Sequence, residues 1–265
     1  MNTAPNKAQI KKLRRQLNQR RARYVWLQNI LFKIKSFDQL FVMIMAMLIG
    51  VFAGVISAGF RTLIDSFRHG LWGEGALIDV AMAAPIYLKI GIPAFGGAVV
   101  AWSVKRFAPE AKGHGVPEVM NAVATQNGFI RMRVVIIKAF ASAMSIASGA
   151  SVGREGPIVQ IGSAFGSTIG QLFQVSIRRM KTFIGCGAAA GIAATFNAPI
   201  AGAIFASEVI LGDFSAAAIG PIIIASVFGT VISRGLYGDF PAFIPPTYTL
   251  HSPVEIIFYI ILGVA

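Results

Sequence analysis

The sequence predicts an all-α, polytopic membrane protein built from broken, tilted helices. Three observations predict it. First, 55% of the 265 residues are hydrophobic and only 13% are charged, whereas a soluble domain carries about a quarter. Second, residues 39–60, QLFVMIMAMLIGVFAGVISAGF, hold no charge. At ~1.5 Å per residue they are long enough to cross a hydrocarbon core of ~30 Å. Third, the later apolar runs are short and broken by Gly and Pro. The lone Cys186 excludes an internal disulfide or a Cys-based metal cluster, and His69, His114 and His251 are too scattered for a His-rich metal site.

The elements follow in order. Residues 1–37 form a basic segment: ten of the 24 Lys and Arg lie in residues 1–35, and no acid precedes Asp38. That run accounts for most of the net charge of +13, since the remainder holds 14 basic against 11 acidic residues. The segment reads as an amphipathic surface helix on anionic lipid rather than a nucleic-acid binder, with the N-terminus in the cytoplasm and the chain crossing the cell membrane several times. No cleavable signal peptide is expected, because the basic stretch is too long and no small-residue cleavage site follows.

One full span is expected at 39–62 and a second at 83–104, with Pro85, Lys89 and Pro93 near its start. Shorter runs follow at 116–125, 133–149, 154–174, 182–196 and 199–211, then a longer one at 215–233. Residues 237–251, rich in Pro, read as an extramembrane loop. Residues 252–265 read as the first turns of another helix, cut short, so the sequence is expected to be part of a longer chain. Gly50 and Gly54, Gly149 and Gly153, Gly187 and Gly191, and Gly162, Gly166 and Gly170 recur every four residues, a spacing that lets helix backbones approach closely.

Short helices in lipid leave end groups without partners, tolerated only beside protein or a water-filled cavity. Such breaks mark mid-depth ion sites. Three stretches carry candidate chemistry. In KGHGVPEVM (112–120) the glycines permit tight turns, and Pro117 fits a first helical turn whose N–H groups would face back toward His114 and Gly115. In GASVGREGP (149–157) a helix start carries Glu155, suited to the positive helix end, beside Arg154. Either Glu155 is a simple cap and Arg154 pairs with a nearby acid, or the pair is functional, as intramembrane charges are by default. In GAAAGIAATFNAPIAGAIFASEVI (187–210) Asn197 and Pro199 mark a sharp bend, and Glu208 is either a solvated end residue or the lining of a vestibule. Converging helix N-termini beside a carboxylate make an anion site with its own competitor.

GHGVP (113–117), GREGP (153–157) and GIAATFNAPIAGAIF (191–205) occur in this order, each about forty residues from the last. The set resembles the CLC family of chloride channels and chloride/proton antiporters, from about residue 38 onward. The resemblance implies a homodimer with one anion pathway per subunit and two inverted-topology repeats. Residues 38–236 would be the first repeat and 252–265 the start of the second. The family's later Gly-x-Phe-x-Pro motif and its coordinating tyrosine are absent from these 265 residues. Glu155 matches the gating glutamate. Gly153, Arg154, Gly156, Pro157 and Ile158 match its anion-facing helix start, and Gly113, Gly115, Val116 and Pro117 match the first anion loop. His114 stands where the family usually has serine. Glu208 and Val209 stand where antiporters often carry paired glutamates, and valine cannot relay protons.

The expected function is therefore a CLC-type channel for chloride or a similar small anion, gated by Glu155. The alternative is a chloride/proton antiporter, or an exchanger of another small anion such as fluoride or nitrate. The expected ligand is the anion itself, with no further cofactor and no metal; the expected partners are lipid and a second subunit, with no nucleic acid. An intramembrane enzyme using Glu155 or Glu208 as base and His114 as partner lacks any supporting motif. A scaffold would leave Arg154 and Glu155 unexplained.

Overall fold

A computed structural model describes residues 38–75, 77–239 and 252–264. The basic segment 1–37 and most of the 237–251 loop lie outside the described residues. Among these residues no strand occurs; the chain is a succession of helices.

α1 spans Asp38–Trp72, ten residues beyond the expected span. It continues because its last turns turn polar on one side: Asp65 and Arg68 stand one turn apart, and Arg68 closes the end by donating to the Gly75 carbonyl. A short α2 (Leu77–Ala83) follows, and Pro85 then restarts the chain as α3 (Ile86–Phe107). The expected span at 83–104 is thus split at its first Pro, while Pro93 is accommodated inside α3. A 3₁₀ turn (Pro109–Ala111) leads to α4 (Val116–Thr125), α5 (Arg133–Ala147) and α6 (Glu155–Leu172). α7 (Ile177–Phe196) ends at Asn197, which takes the left-handed conformation, and Pro199 opens α8 (Pro199–Phe205). This is the bend that Asn197 and Pro199 predict. α9 is Ala216–Tyr237 and α10 is Glu255–Val264.

The run expected as one helix over 199–211 is not one. After α8 it widens into a π-helical turn, Ala206–Leu211. The Gly212 and Asp213 N–H groups both converge on the Ser207 carbonyl, which closes that wider turn.

The core centres on α7, which packs against α6, α9, α1 and α8. Small residues set the spacing. A methyl on Gly162 would collide with the Gly187 carbonyl, and one on Gly187 with the Gly162 carbonyl. Gly50 meets Ala225 and Gly54 meets Gly229 in the same way across α1 and α9. Gly149 and Gly153 are the exception to the packing expectation: Gly149 sits in the turn after α5 with φ 99°, and neither is helical. Among the described residues three helices are long and apolar enough to cross a membrane: residues 39–72 of α1, α3 and α9.

Candidate anion-binding site

The two glycine-proline motifs meet backbone to backbone. Gly113 and Gly115 have φ of 103° and 108°, the left-handed region in which a side chain is strained. A methyl on Gly115 would strike the Gly156 carbonyl, and one on Gly156 would strike the His114 carbonyl. The starts of α4 and α6 are therefore held together by glycines that nothing larger could replace.

Each helix start has its own carboxylate. At α4, the Gly115 N–H donates to Glu118 Oε2 at 2.6 Å, closing one half of a capping box. The sequence reading passed over Glu118, although its position three residues after a helix cap was the signal. At α6, the Glu155 carboxylate folds back over Gly153, filling the space a methyl on that glycine would need. Both Glu155 and His114 are exposed side chains.

Beside this junction opens a cavity of about 820 Å³. Its walls are α3 and α5, and its floor is the junction itself, through Gly113, His114, Gly153 and Pro157. His114 thus belongs to the cavity lining. Three lysines line it as well: Lys105, Lys112 and Lys138. Among the described residues no carboxylate does. Much of the remaining wall is apolar.

Lys138 is the residue of this site that the sequence reading missed. It is 4% exposed, and its Nζ donates to the Ala111 carbonyl at 3.0 Å and the Gly113 carbonyl at 2.7 Å. A buried ammonium held under the Gly113 loop fixes that loop and places positive charge below it. The signal was a single lysine within the apolar run 134–149, an expensive residue to bury without a role.

The structure does not bring every predicted residue to the cavity. Ile158 is wholly buried, and its N–H donates to the Arg154 carbonyl at 3.1 Å. It is thus committed to α6, and Pro157 has no N–H. Glu155 and Gly156 carry the N–H groups of that first turn left free by helix geometry. Arg154 pairs with no carboxylate within 4.0 Å among the described residues, contrary to one reading of the sequence. It lies over the Phe196 ring at 5.6 Å and lines a separate, smaller pocket. Gly115 is buried in the junction, Val116 packs on the core and Pro117 is exposed; none of the three lines the cavity. Glu208 is exposed and Val209 half-buried, both in the π-helical turn and neither in the cavity wall.

The profile of the voltage-gated chloride channel family matches residues 96–265. The chain belongs to this family. Among CLC relatives, an H(+)/Cl(-) exchange transporter ClcA of Vibrio vulnificus is 32% identical over 226 residues, 84% of this chain and 48% of that protein. A ClcB-like protein of Ralstonia nicotianae, provisionally named a chloride channel, is 32% identical over 223 residues, 82% of this chain and 52% of that one. The chain spans about half the length of the curated relatives it matches. The crystal structure of a slow cyanobacterial Cl-/H+ antiporter superposes with a TM-score of 0.71 at 26% identity, covering 84% of this chain and 53% of that one. A CLC-type fluoride/proton antiporter gives 0.68 at 23% identity, with 86% and 55% covered, and shares the fold. The all-α CLC membrane fold expected from the three motifs is the fold observed.

Proposed function

We propose that this chain supplies one half of a CLC-type anion pathway and that the whole protein exchanges chloride for protons across the cell membrane. The observation that carries the reading is the junction of α4 and α6. Two helix starts meet there through glycine backbones beside a cavity lined by His114 and three lysines, with the Glu155 carboxylate folded over Gly153, one of the residues lining it. The free N–H groups of Glu155 and Gly156 favour an anion, and the Glu155 carboxylate is the built-in rival for that place. Protonating Glu155 removes the rival. Anion entry and proton binding are thereby coupled at one side chain.

The sequence favoured a channel, because Val209 occupies the position of a proton relay. The Vibrio vulnificus relative and the cyanobacterial neighbour, named for exchange, favour the antiporter alternative. Val209 keeps the channel as the second reading, with fluoride or nitrate as other candidate anions. The proposed assembly is a homodimer, with residues 1–37 on the cytoplasmic face.

Liposomes containing the whole protein test the proposal. Under an imposed chloride gradient, protons should move uphill in fixed proportion to chloride. Glu155→Ala should abolish proton movement and leave chloride flux. Chloride flux with no proton movement in the unsubstituted protein would reject exchange and establish the channel.

A further inference from the structure

Arg154 lines a second, much smaller pocket that shares no residue with the cavity. It has a volume of about 20 Å³, and its polar walls are Ser57, Arg61, Arg154, Thr195, Ser233 and Tyr237. These come from α1, the residue preceding α6, the end of α7 and the end of α9.

Two cations face this pocket without a matching anion. The Arg61 guanidinium lies 4.6 Å from the Tyr237 ring centre, and that of Arg154 lies 5.6 Å from the Phe196 ring centre. Among the described residues neither donates a hydrogen bond or pairs with a carboxylate within 4.0 Å. Asp65, one turn along α1 from Arg61, is turned instead toward Arg68 Nε at 4.0 Å. Burial and the neighbouring Arg61 both disfavour the charge on Arg154, and Glu155 and Asp65 each favour it to a lesser degree. A half-buried guanidinium beside a second one is costly unless negative charge joins them.

The hydroxyls narrow the choice of occupant. Tyr237 donates to the Ala58 carbonyl at 2.9 Å, and Ser233 donates to the Ala194 carbonyl at 2.6 Å. Both hydrogens are therefore committed. Ser57 and Thr195 share one hydrogen bond of 2.8 Å, so one of the two keeps a free O–H. The hydrogens still available to an occupant are those of two guanidinium forks and one hydroxyl, and the hydroxyl oxygens keep acceptor lone pairs beside them. A water would leave the excess positive charge unanswered; an anion answers it. The volume suits a single water-sized species, for which ~10–15 Å³ suffices. It is too small for phosphate or a carboxylate bearing a chain.

We propose that this pocket is a halide site, distinct from the pathway beside Glu155, held by Arg61 and Arg154 with the Ser57–Thr195 hydroxyl pair. A halide here neutralises the charge that immediately precedes Glu155. That consequence for gating rests on the role given to Glu155 above; the site itself does not.

Crystals of the whole protein soaked in sodium bromide test it through the anomalous signal of bromine. A peak is expected between the Arg61 and Arg154 guanidinium groups, saturating as bromide rises. It should vanish in Arg61→Gln, whose exposed side chain can be replaced without disturbing the core. A peak beside His114 and Gly156 should be retained in that variant. An absence of anomalous signal between the two arginines in the unsubstituted protein, or a peak that persists unchanged in Arg61→Gln, overturns the proposal. Loss of only the His114 peak would instead count against the pathway and leave this site standing.

Discussion

α7 and α3 are of similar length, and their sequences send opposite messages about where they lie. α3 is long and apolar enough to cross a membrane by itself, yet only Gly96 and Ser103 of its 22 residues are buried. Tyr87, Ile90, Phe95 and Trp102 point outward. α7 does not reach the same length-and-hydropathy measure, yet every residue from Thr182 to Ala194 is buried. The difference teaches what hydropathy reports in a membrane protein. Large apolar side chains mark the face toward lipid. The packed interior is marked by Gly and Ala, which score as weakly apolar but let backbones touch.

The sharpest way to break this comparison is to add one carbon where backbones touch. Gly162→Ala and Gly187→Ala each drive a methyl into the other residue's carbonyl, in close-packed surroundings that cannot yield. Overpacking of this kind costs about 1–3 kcal/mol and more where only backbone can move. Each variant should lose most of its monodisperse yield in detergent, and survivors should melt well below the parent protein. Gly156→Ala should be as severe and should also abolish anion flux, because it parts α4 from α6. Retained flux in Gly156→Ala would show that the junction is not part of the pathway.

Next in size is Lys138→Met, which keeps the length and the apolar stem. It leaves the Ala111 and Gly113 carbonyls without their buried donor, a loss of about 1–3 kcal/mol. Thermal melts should show the drop. The Gly113 loop should loosen with it, so that anion flux falls even in the folded fraction.

These residues also show what was legible in the sequence. The starts of α4, α6 and α8 were, because Pro and Gly fix backbone locally and need no knowledge of neighbours. The α7–α8 bend at Asn197 followed for the same reason. The meeting of Gly115 with Gly156 was legible only through the resemblance to CLC proteins, since forty residues separate them and spacing alone does not pair them. Lys138 was missed because its partners are carbonyls, which carry no side-chain signature. Arg154 was placed with the anion because it belongs to the GREGP stretch that carries the resemblance to CLC proteins, but successive residues at a helix start face different sides. The π-helical turn at 206–211 was not legible at all: it depends on two N–H groups after Leu211 sharing the Ser207 carbonyl.

A smaller effect is expected in the loop before α9. Asp213 Oδ1 accepts the Ser215 N–H at 2.8 Å, and Asp213 Oδ2 accepts the Ser215 hydroxyl at 3.1 Å. The backbone N–H first, and the hydroxyl second, hold its carboxyl below the ordinary aspartate value. A carboxyl whose folded value is depressed binds protons less readily folded than unfolded. Its contribution is complete above the ordinary value of about 3.9 and is lost as pH falls through the lowered folded value. Melting temperatures of the protein and of Asp213→Asn should therefore differ by a constant amount near neutrality and converge in acid. A difference that stays constant down to the acid limit would mean that the ionised carboxylate is not what holds Ser215.

The smallest effect belongs to α3, and it is the control that sharpens the comparison. Nothing lies within 4 Å of a methyl on Gly91 or Gly97. Both glycines also sit in a helix interior, where alanine gains about 1 kcal/mol in intrinsic propensity. Gly91→Ala and Gly97→Ala should thus leave the melting temperature unchanged or slightly raised, the opposite sign from the same substitution in α6 and α7. If instead Gly97→Ala destabilises the whole protein, the outward face of α3 is not a lipid face. It would then be covered by protein beyond the residues described, and the exposed Phe95 and Trp102 would belong to that interface.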